Sequence, residues 1–178
     1  DPIACGIFPG GTGGGVSILF RRPGYQDHLA GVQRSQPGQN WIYDGSFIYH
    51  LPGNYAGRNV PDISFNADPE TGYAVYYTSS VNGFAVEYFW GGTSFVGPQL
   101  NGVTALLGQY LDGSRLGLLN YALYGLAQDG QGYKGPKAPL NAIPYGDNWF
   151  YFGRNGYSPA TGLGTLDVAN FAKKLGAD

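Results

Sequence analysis

Gly91-Gly92-Thr93-Ser94-Phe95-Val96-Gly97-Pro98 follows a strand-like run at 84–90 and opens an amphipathic helical pattern. A strand that passes through glycines into a helix is an α/β junction. It sets one serine hydroxyl at the positive end of a helix. Thr93 or Ser94 is a suitable N-cap, and the first N–H groups of the helix point outward unpaired. Pro98 lies in the first turns; its missing N–H leaves the Ser94 carbonyl without its usual helix partner. An anion developing beside Ser94 would feel the helix end. Ser94 is therefore a candidate nucleophile, and it is equally well placed to do nothing more than cap a helix. The stretch is not the Gly-x-Ser-x-Gly elbow, because position 96 is Val.

Working outward, Leu100, Val103, Leu107 and Tyr110 recur at helical spacing, so one face is expected in the core. Gly113-Ser114 breaks that helix, and Ser114 can cap a second over 115–126. A third helix is expected over 167–175. Before the serine, 73–78 and 84–90 alternate as a hairpin around Asn82-Gly83. Trp41-Ile42-Tyr43 and Ser46-Phe47-Ile48-Tyr49 form another across Asp44-Gly45. Residues 16–20 and 60–65 read as short strands, with a strong turn at Asp68-Pro69-Glu70-Thr71-Gly72. Residues 21–40, 128–149 and 157–164 are turn-rich or loop. The glycine run Gly10–Gly15 fits no phosphate loop, since no Gly-Lys-Ser/Thr follows; it serves close backbone approach or a flexible turn.

Composition narrows the function classes. The chain has 178 residues, enough for one core. Its net charge of −2 gives no electrostatic case for nucleic acid. No apolar run approaches the length of a membrane span. Charged residues are 12% of the chain, so protonating the carboxylates leaves just 10 Lys and Arg and 2 His charged, which is compatible with an acidic medium. Cys5, the one cysteine, allows no intrachain disulfide and is expected to be a small buried thiol. The absence of Met, and a start on an apolar strand at Ile3-Ala4-Cys5-Gly6-Ile7-Phe8, suggest a fragment or processed chain.

Four blocks carry a family resemblance. Gly92-Thr93-Ser94-x-x-x-Pro98 is similar to the nucleophile signature of subtilisin-like serine proteases. Thr12-Gly-Gly-Gly-Val-Ser17 with Phe20 and Pro23-Gly-Tyr-Gln26 resembles the glycine-rich stretch of the sedolisins, the serine-carboxyl peptidases. Arg58-Asn-Val-Pro-Asp-Ile63 with Asn66-Ala-Asp-Pro-Glu-Thr-Gly-Tyr73, and Ala160-Thr-Gly-Leu-Gly164, resemble two further family blocks in the same order. The resemblance implies a subtilisin-like α/β fold, with residues 1–178 forming the C-terminal portion of a mostly parallel sheet flanked by helices. It implies an acid-acting serine endopeptidase with Ser94 as nucleophile, secreted or in an acidic compartment. The Glu base, the Asp that orients it and the oxyanion Asp lie N-terminal to the matched region. The expected partners are thus the N-terminal part of the same catalytic domain and a peptide substrate, with no nucleic acid or membrane. Without that part the chain is expected to be inactive.

Within the chain, His28 and His50 are the histidines that could act as a base, but loop histidines are usually just solvated; Glu70 and Glu87 read as surface residues. The family's calcium site uses an Asp before an Ile, two later backbone carbonyls, and an Asp in a Gly-Trp-Asp-Pro run. The matching stretches here are Asn141-Ala142-Ile143-Pro144-Tyr145-Gly146 and Gly156-Tyr157-Ser158-Pro159. Ala142 and Ser158 replace both carboxylates, and Asp147 and Asp167 are out of register. No calcium and no other cofactor is expected, and packing of Trp149, Phe150, Tyr151 and Phe152 is expected to hold the loop instead. Two rival readings remain: a subtilisin-fold binding or structural protein that has lost catalysis, and an aromatic-rich glycan-binding module.

Overall fold

The computed structural model describes residues 10–36, 40–81 and 83–176. In chain order the elements are β1 (Gly15–Arg21), β2 (Asn40–Tyr43), β3 (Ser46–His50), β4 (Gly57–Val60), β5 (Tyr73–Ser79), β6 (Gly83–Trp90), α1 (Thr93–Tyr110), α2 (Asn120–Gln128), β7 (Leu140–Asn141), β8 (Ile143–Asp147), β9 (Phe152–Arg154), β10 (Thr165–Leu166) and α3 (Val168–Leu175). Among the described residues six strands precede the first α-helix, and four short strands lie between α2 and α3. Among the described residues, however, every strand pair is antiparallel. β2–β3, β5–β6 and β8–β9 are hairpins joined by turns too short for the crossover that a parallel pair requires. β1–β4 and β7–β10 pair across long stretches of chain. The parallel part of the expected sheet is therefore not found among the described residues.

The β2–β3 hairpin lies across Asp44-Gly45 and the β5–β6 hairpin where the alternation puts it; Asn82, like Cys5 and the expected strand at 3–8, lies outside the described residues. β4 ends at Val60 rather than running to Phe65, because Pro61 has no N–H to give to a ladder. The second helix starts at Asn120, not Arg115. Gly117 turns the chain at φ +61°, and neither Ser114 nor any other side chain caps the helix. Residues 128–149 are less irregular than expected, since they contain β7 and β8. α3 is as expected. The Asp167 carboxylate accepts the Asn170 N–H at 2.9 Å, and Lys173 and Lys174 lie at the negative end of the helix dipole.

The core lies between the helices and the segment 157–166. Leu107 of α1, Leu123 and Tyr124 of α2, Phe171 of α3, and Tyr157, Leu163 and Leu140 are all buried and form one cluster. Tyr110 does not join them; it is 58% exposed, so α1 buries a narrower stripe than the spacing suggests. The glycines of the turn-rich connection explain its tight seat. A Cβ on Gly162, at φ +61°, or on Gly164, at φ +88°, would strike the carbonyl oxygens of Asp62 and Asn141. Gly14 is likewise pressed against the Pro159 carbonyl, so the early glycine run serves close backbone approach.

Burial raises the phenols of Tyr124, Tyr157 and Tyr133, the last to about 12 against the usual 10.0. A raised folded-state value means that Tyr133 contributes fully below pH 10 and loses its contribution as pH climbs through 12. Urea-unfolding stability is expected to stay level to about pH 9.5 and to fall between pH 10 and 12, as the unfolded chain releases its phenolic protons first. A level profile to pH 12 would contradict this.

Candidate active site

Helix α1 takes Gly92, at φ +82°, as its N-cap, with no side-chain cap bond. Helix formation thus starts one position earlier than expected: Thr93 and Ser94 are the first two helical residues rather than the cap. The reason is Gly92, whose left-handed backbone turns the chain out of β6 without needing a capping side chain. Ser94 is exposed and its hydroxyl has no hydrogen-bond partner among the described residues. The side chain is thereby free for an incoming group, and the plain capping role has no support in the geometry.

Three contacts fix this turn. The Gly92 N–H donates to the Ala67 carbonyl at 2.6 Å, tying the serine turn to the 66–72 turn. A Cβ on Gly91 would come within 2.6 Å of both the Ala67 oxygen and the Pro69 nitrogen, so this approach requires glycine. Phe95, next to Ser94, stacks on Tyr73 with centroids 5.2 Å apart and planes 4° from parallel, and packs obliquely on Trp90 at 6.1 Å. Such pairs add about 0.5–1.5 kcal/mol each beyond burial. Tyr73 also donates to the Asn66 carbonyl at 2.9 Å, while Gln99 donates to the Phe95 carbonyl at 3.0 Å. Sequence reading of a motif that stops at Pro98 misses Tyr73 and Trp90, which are 21 and 4 positions upstream of Ser94. Their signal was the strand alternation that ends on Trp90.

The 66–72 turn is rigid in its own right. The Asp68 carboxylate accepts the Glu70 N–H at 3.0 Å, the Thr71 N–H at 3.2 Å and the Thr71 hydroxyl at 2.8 Å. The Thr71 hydroxyl, then the Glu70 N–H, holds the Asp68 carboxyl below the usual carboxylate range. The turn therefore keeps its anchor into acid.

The other candidate residues are elsewhere. His50 pairs through Nδ1 with the Asn40 side chain at 2.6 Å, on the β2–β3 hairpin. His28 is exposed at φ +65° just after a 3-10 turn at Gly24–Gln26. Glu87 accepts from the Tyr77 hydroxyl at 2.6 Å and the Trp90 indole at 3.2 Å, and Glu70 is exposed in its turn. None of the four is hydrogen-bonded to Ser94.

At the stretches matching the calcium loop, Ala142 has no donor side chain. The Ser158 hydroxyl is buried; it donates to the Phe152 carbonyl at 2.8 Å and accepts the Ala160 N–H at 3.0 Å. Asp147 accepts the Trp149 N–H, and Asp167 caps α3. The loop is not held by aromatic packing. Trp149, Phe150 and Phe152 are 71%, 76% and 75% exposed. Buried Asn148 holds it instead: its amide donates to the Thr12 carbonyl at 2.9 Å and its oxygen accepts the Tyr151 N–H at 2.9 Å. Polar anchoring prevails because the buried Asn148 side chain meets backbone groups that need partners, while the aromatic rings beside it stay exposed.

With that geometry in hand, the fold is identified as the subtilisin-like α/β fold. The chain superposes on the solved structure of Pseudomonas sedolisin, a serine-carboxyl proteinase complexed with two molecules of pseudo-iodotyrostatin, with a TM-score of 0.67; the match covers 94% of this chain and 37% of that one at 24% identity. In sequence it is 35% identical to kumamolisin of a Bacillus species over 162 residues, 88% of this chain and 24% of that protein. It is 29% identical to tripeptidyl-peptidase SED1 of Arthroderma otae over 182 aligned positions, 92% of this chain and 22% of that protein. No protein-family model matches. The chain is thus a partial-domain match to the sedolisin family, and it spans about a quarter of the length of the curated relatives it matches.

Asp68→Ala is expected to lower the melting temperature at pH 5.5, with the deficit closing toward pH 2 as the wild-type carboxyl takes up its proton. Thermal melts of the two proteins across that range check it; equal melting temperatures at pH 5.5 would contradict it.

Proposed function

We propose that this chain is the nucleophile-bearing part of a serine-carboxyl peptidase catalytic domain that acts in acid, in a secreted protein or an acidic compartment. The observation that carries the reading is Ser94 itself: exposed, unpartnered, in the first turn of α1, and clamped to the 66–72 turn. In this reading the Ser94 Oγ attacks the scissile carbonyl carbon. A glutamate from the N-terminal part of the domain takes the hydroxyl proton, an aspartate orients that glutamate, and a second, protonated aspartate donates to the oxyanion. The first-turn N–H groups of α1 add a fixed positive field at the same place. An aspartic acid donates only while protonated, which is the physical reason for acid operation.

The extent of exposed surface supports a covering partner. The accessible area is 11739 Å², against about 8,400 Å² for a compact monomer of this mass. Exposed Tyr76, Phe84, Tyr88 and Phe89 on the β5–β6 hairpin, and Leu106 on α1, supply apolar area for the rest of the domain to bury. The chain without that part is inactive in this reading, because among the described residues no His, Asp or Glu is hydrogen-bonded to Ser94.

Labelling of the complete catalytic domain by a fluorophosphonate at pH 3–5 is expected at Ser94, and Ser94→Ala is expected to abolish it. A complete domain that takes no label, and cleaves no denatured protein, would instead fit the rival reading of a fold kept for binding, which the replaced carboxylates at Ala142 and Ser158 favour.

We further propose that no calcium is held at the family position. Calcium takes six to eight oxygens, normally with carboxylates among them; here Ala142 offers no side-chain oxygen and the Ser158 hydroxyl is engaged with the Phe152 carbonyl and the Ala160 N–H. The melting temperature is expected to be the same in 5 mM calcium and in excess chelator, to within about 1 °C. A calcium-dependent rise would overturn this.

A further inference from the structure

Away from Ser94, Arg21, Arg22, Asp27, Arg34 and the 52–56 loop line a cleft of about 450 Å³. That volume lies in the range of small-ligand sites, about 300–1,000 Å³. Three guanidiniums and one carboxylate leave the lining with a net positive charge. None of the three arginines is in an ion pair among the described residues, where the one salt bridge is Arg58–Asp62. Asp27 offsets only one of the three guanidiniums in the lining, so an anion from outside would complete the charge balance.

The cleft is built rather than incidental. The Arg22 guanidinium donates to the Gln33 carbonyl, its Nε is buried with no partner, and its backbone N–H donates to the Ala56 carbonyl at 3.0 Å. Arg34 donates to the Asn54 carbonyl at 2.9 Å. The opposite wall is fixed by Ser35, whose hydroxyl donates to the Pro52 carbonyl at 2.6 Å and accepts the Tyr55 N–H at 2.8 Å. The Arg21 side chain makes no hydrogen bond or ion pair among the described residues and is exposed.

We propose that this cleft binds a polypeptide segment through its carboxylates. Guanidiniums recognise carboxylates and phosphates alike. One feature favours a peptide over an inorganic ion: beside the guanidiniums the wall carries Pro52, Tyr55 and Ala56, apolar surface that a compact ion would leave uncovered. The proposal does not depend on Ser94 being a nucleophile.

The test uses the complete protein with Ser94→Ala, so that no probe is cleaved. Probes are an acetylated, amidated tetraglutamate peptide, the matching tetraglutamine peptide, and inorganic phosphate, each followed by calorimetry in 50 mM salt. Tetraglutamate binding is expected, weakened about tenfold or more in R21Q/R34Q, the scale of losing charge-assisted hydrogen bonds, and weakened similarly in 300 mM salt. Thermal melts check that the double variant folds; should it not, the salt titration and the glutamine peptide decide. Equal binding of tetraglutamine, unchanged binding by a folded R21Q/R34Q, or binding of phosphate with none of tetraglutamate would overturn the proposal.

Discussion

The fold depends on a buried polar knot centred on Tyr124. Its hydroxyl donates to Asp62 at 2.8 Å and accepts from the Gln26 amide at 2.8 Å. Asp62 also takes a two-pronged contact from Arg58, with a 2.6 Å leg, and Gln26 exchanges hydrogen bonds with the Asn59 backbone in both directions. Gln26, Asn59 and Tyr124 are fully buried. One cluster thereby joins the 24–26 turn, β4, the segment after Pro61 and helix α2. Burying these groups is tolerable because they are paired with one another; removing one partner would strand the rest at about 1–3 kcal/mol per group.

From that knot the structure radiates to both ends of the candidate site. Asp62 also gives its backbone carbonyl to the Leu163 N–H at 2.8 Å, and Ser64 takes up the Gly164 carbonyl and the Thr161 carbonyl. The 157–164 connection, with its left-handed glycines, is thus tied to the irregular segment 62–64 that leads toward the 66–72 turn. That turn in turn holds Gly92. The serine is far from the knot in sequence, yet its position follows from one continuous set of backbone contacts that leave room for no Cβ at Gly91, Gly162 or Gly164.

Much of this was legible from local pattern. The β2–β3 hairpin announces itself by its Asp44-Gly45 turn dipeptide and the β5–β6 hairpin by period-2 alternation, because these signals act within a few residues. The misread elements share a different cause. Helix α2 starts late because Gly117 turns left-handed, and β4 stops at Val60 because proline cannot continue a ladder. Tyr110 and the aromatic run 149–152 look like core by hydrophobicity, yet hydrophobicity does not say whether a neighbour exists to cover them. Asn148, which no sequence pattern singles out, and Ser158 hold the loop because each is buried where backbone groups need partners.

The sequence by itself determined which groups are on offer: a serine between glycines at a strand-to-helix junction, no carboxylate at Ala142 or Ser158, and a family resemblance spread over four ordered blocks. These depend on residue type and short spacing, which no tertiary contact can alter. Only the tertiary structure decided that the helix begins at Thr93 with a glycine cap, that Phe95 is stacked on Tyr73, that neither histidine meets Ser94, and that three arginines share a cleft. Those facts rest on contacts between residues far apart in the chain, and pairing at a distance is set by the packing of the whole rather than by any local run.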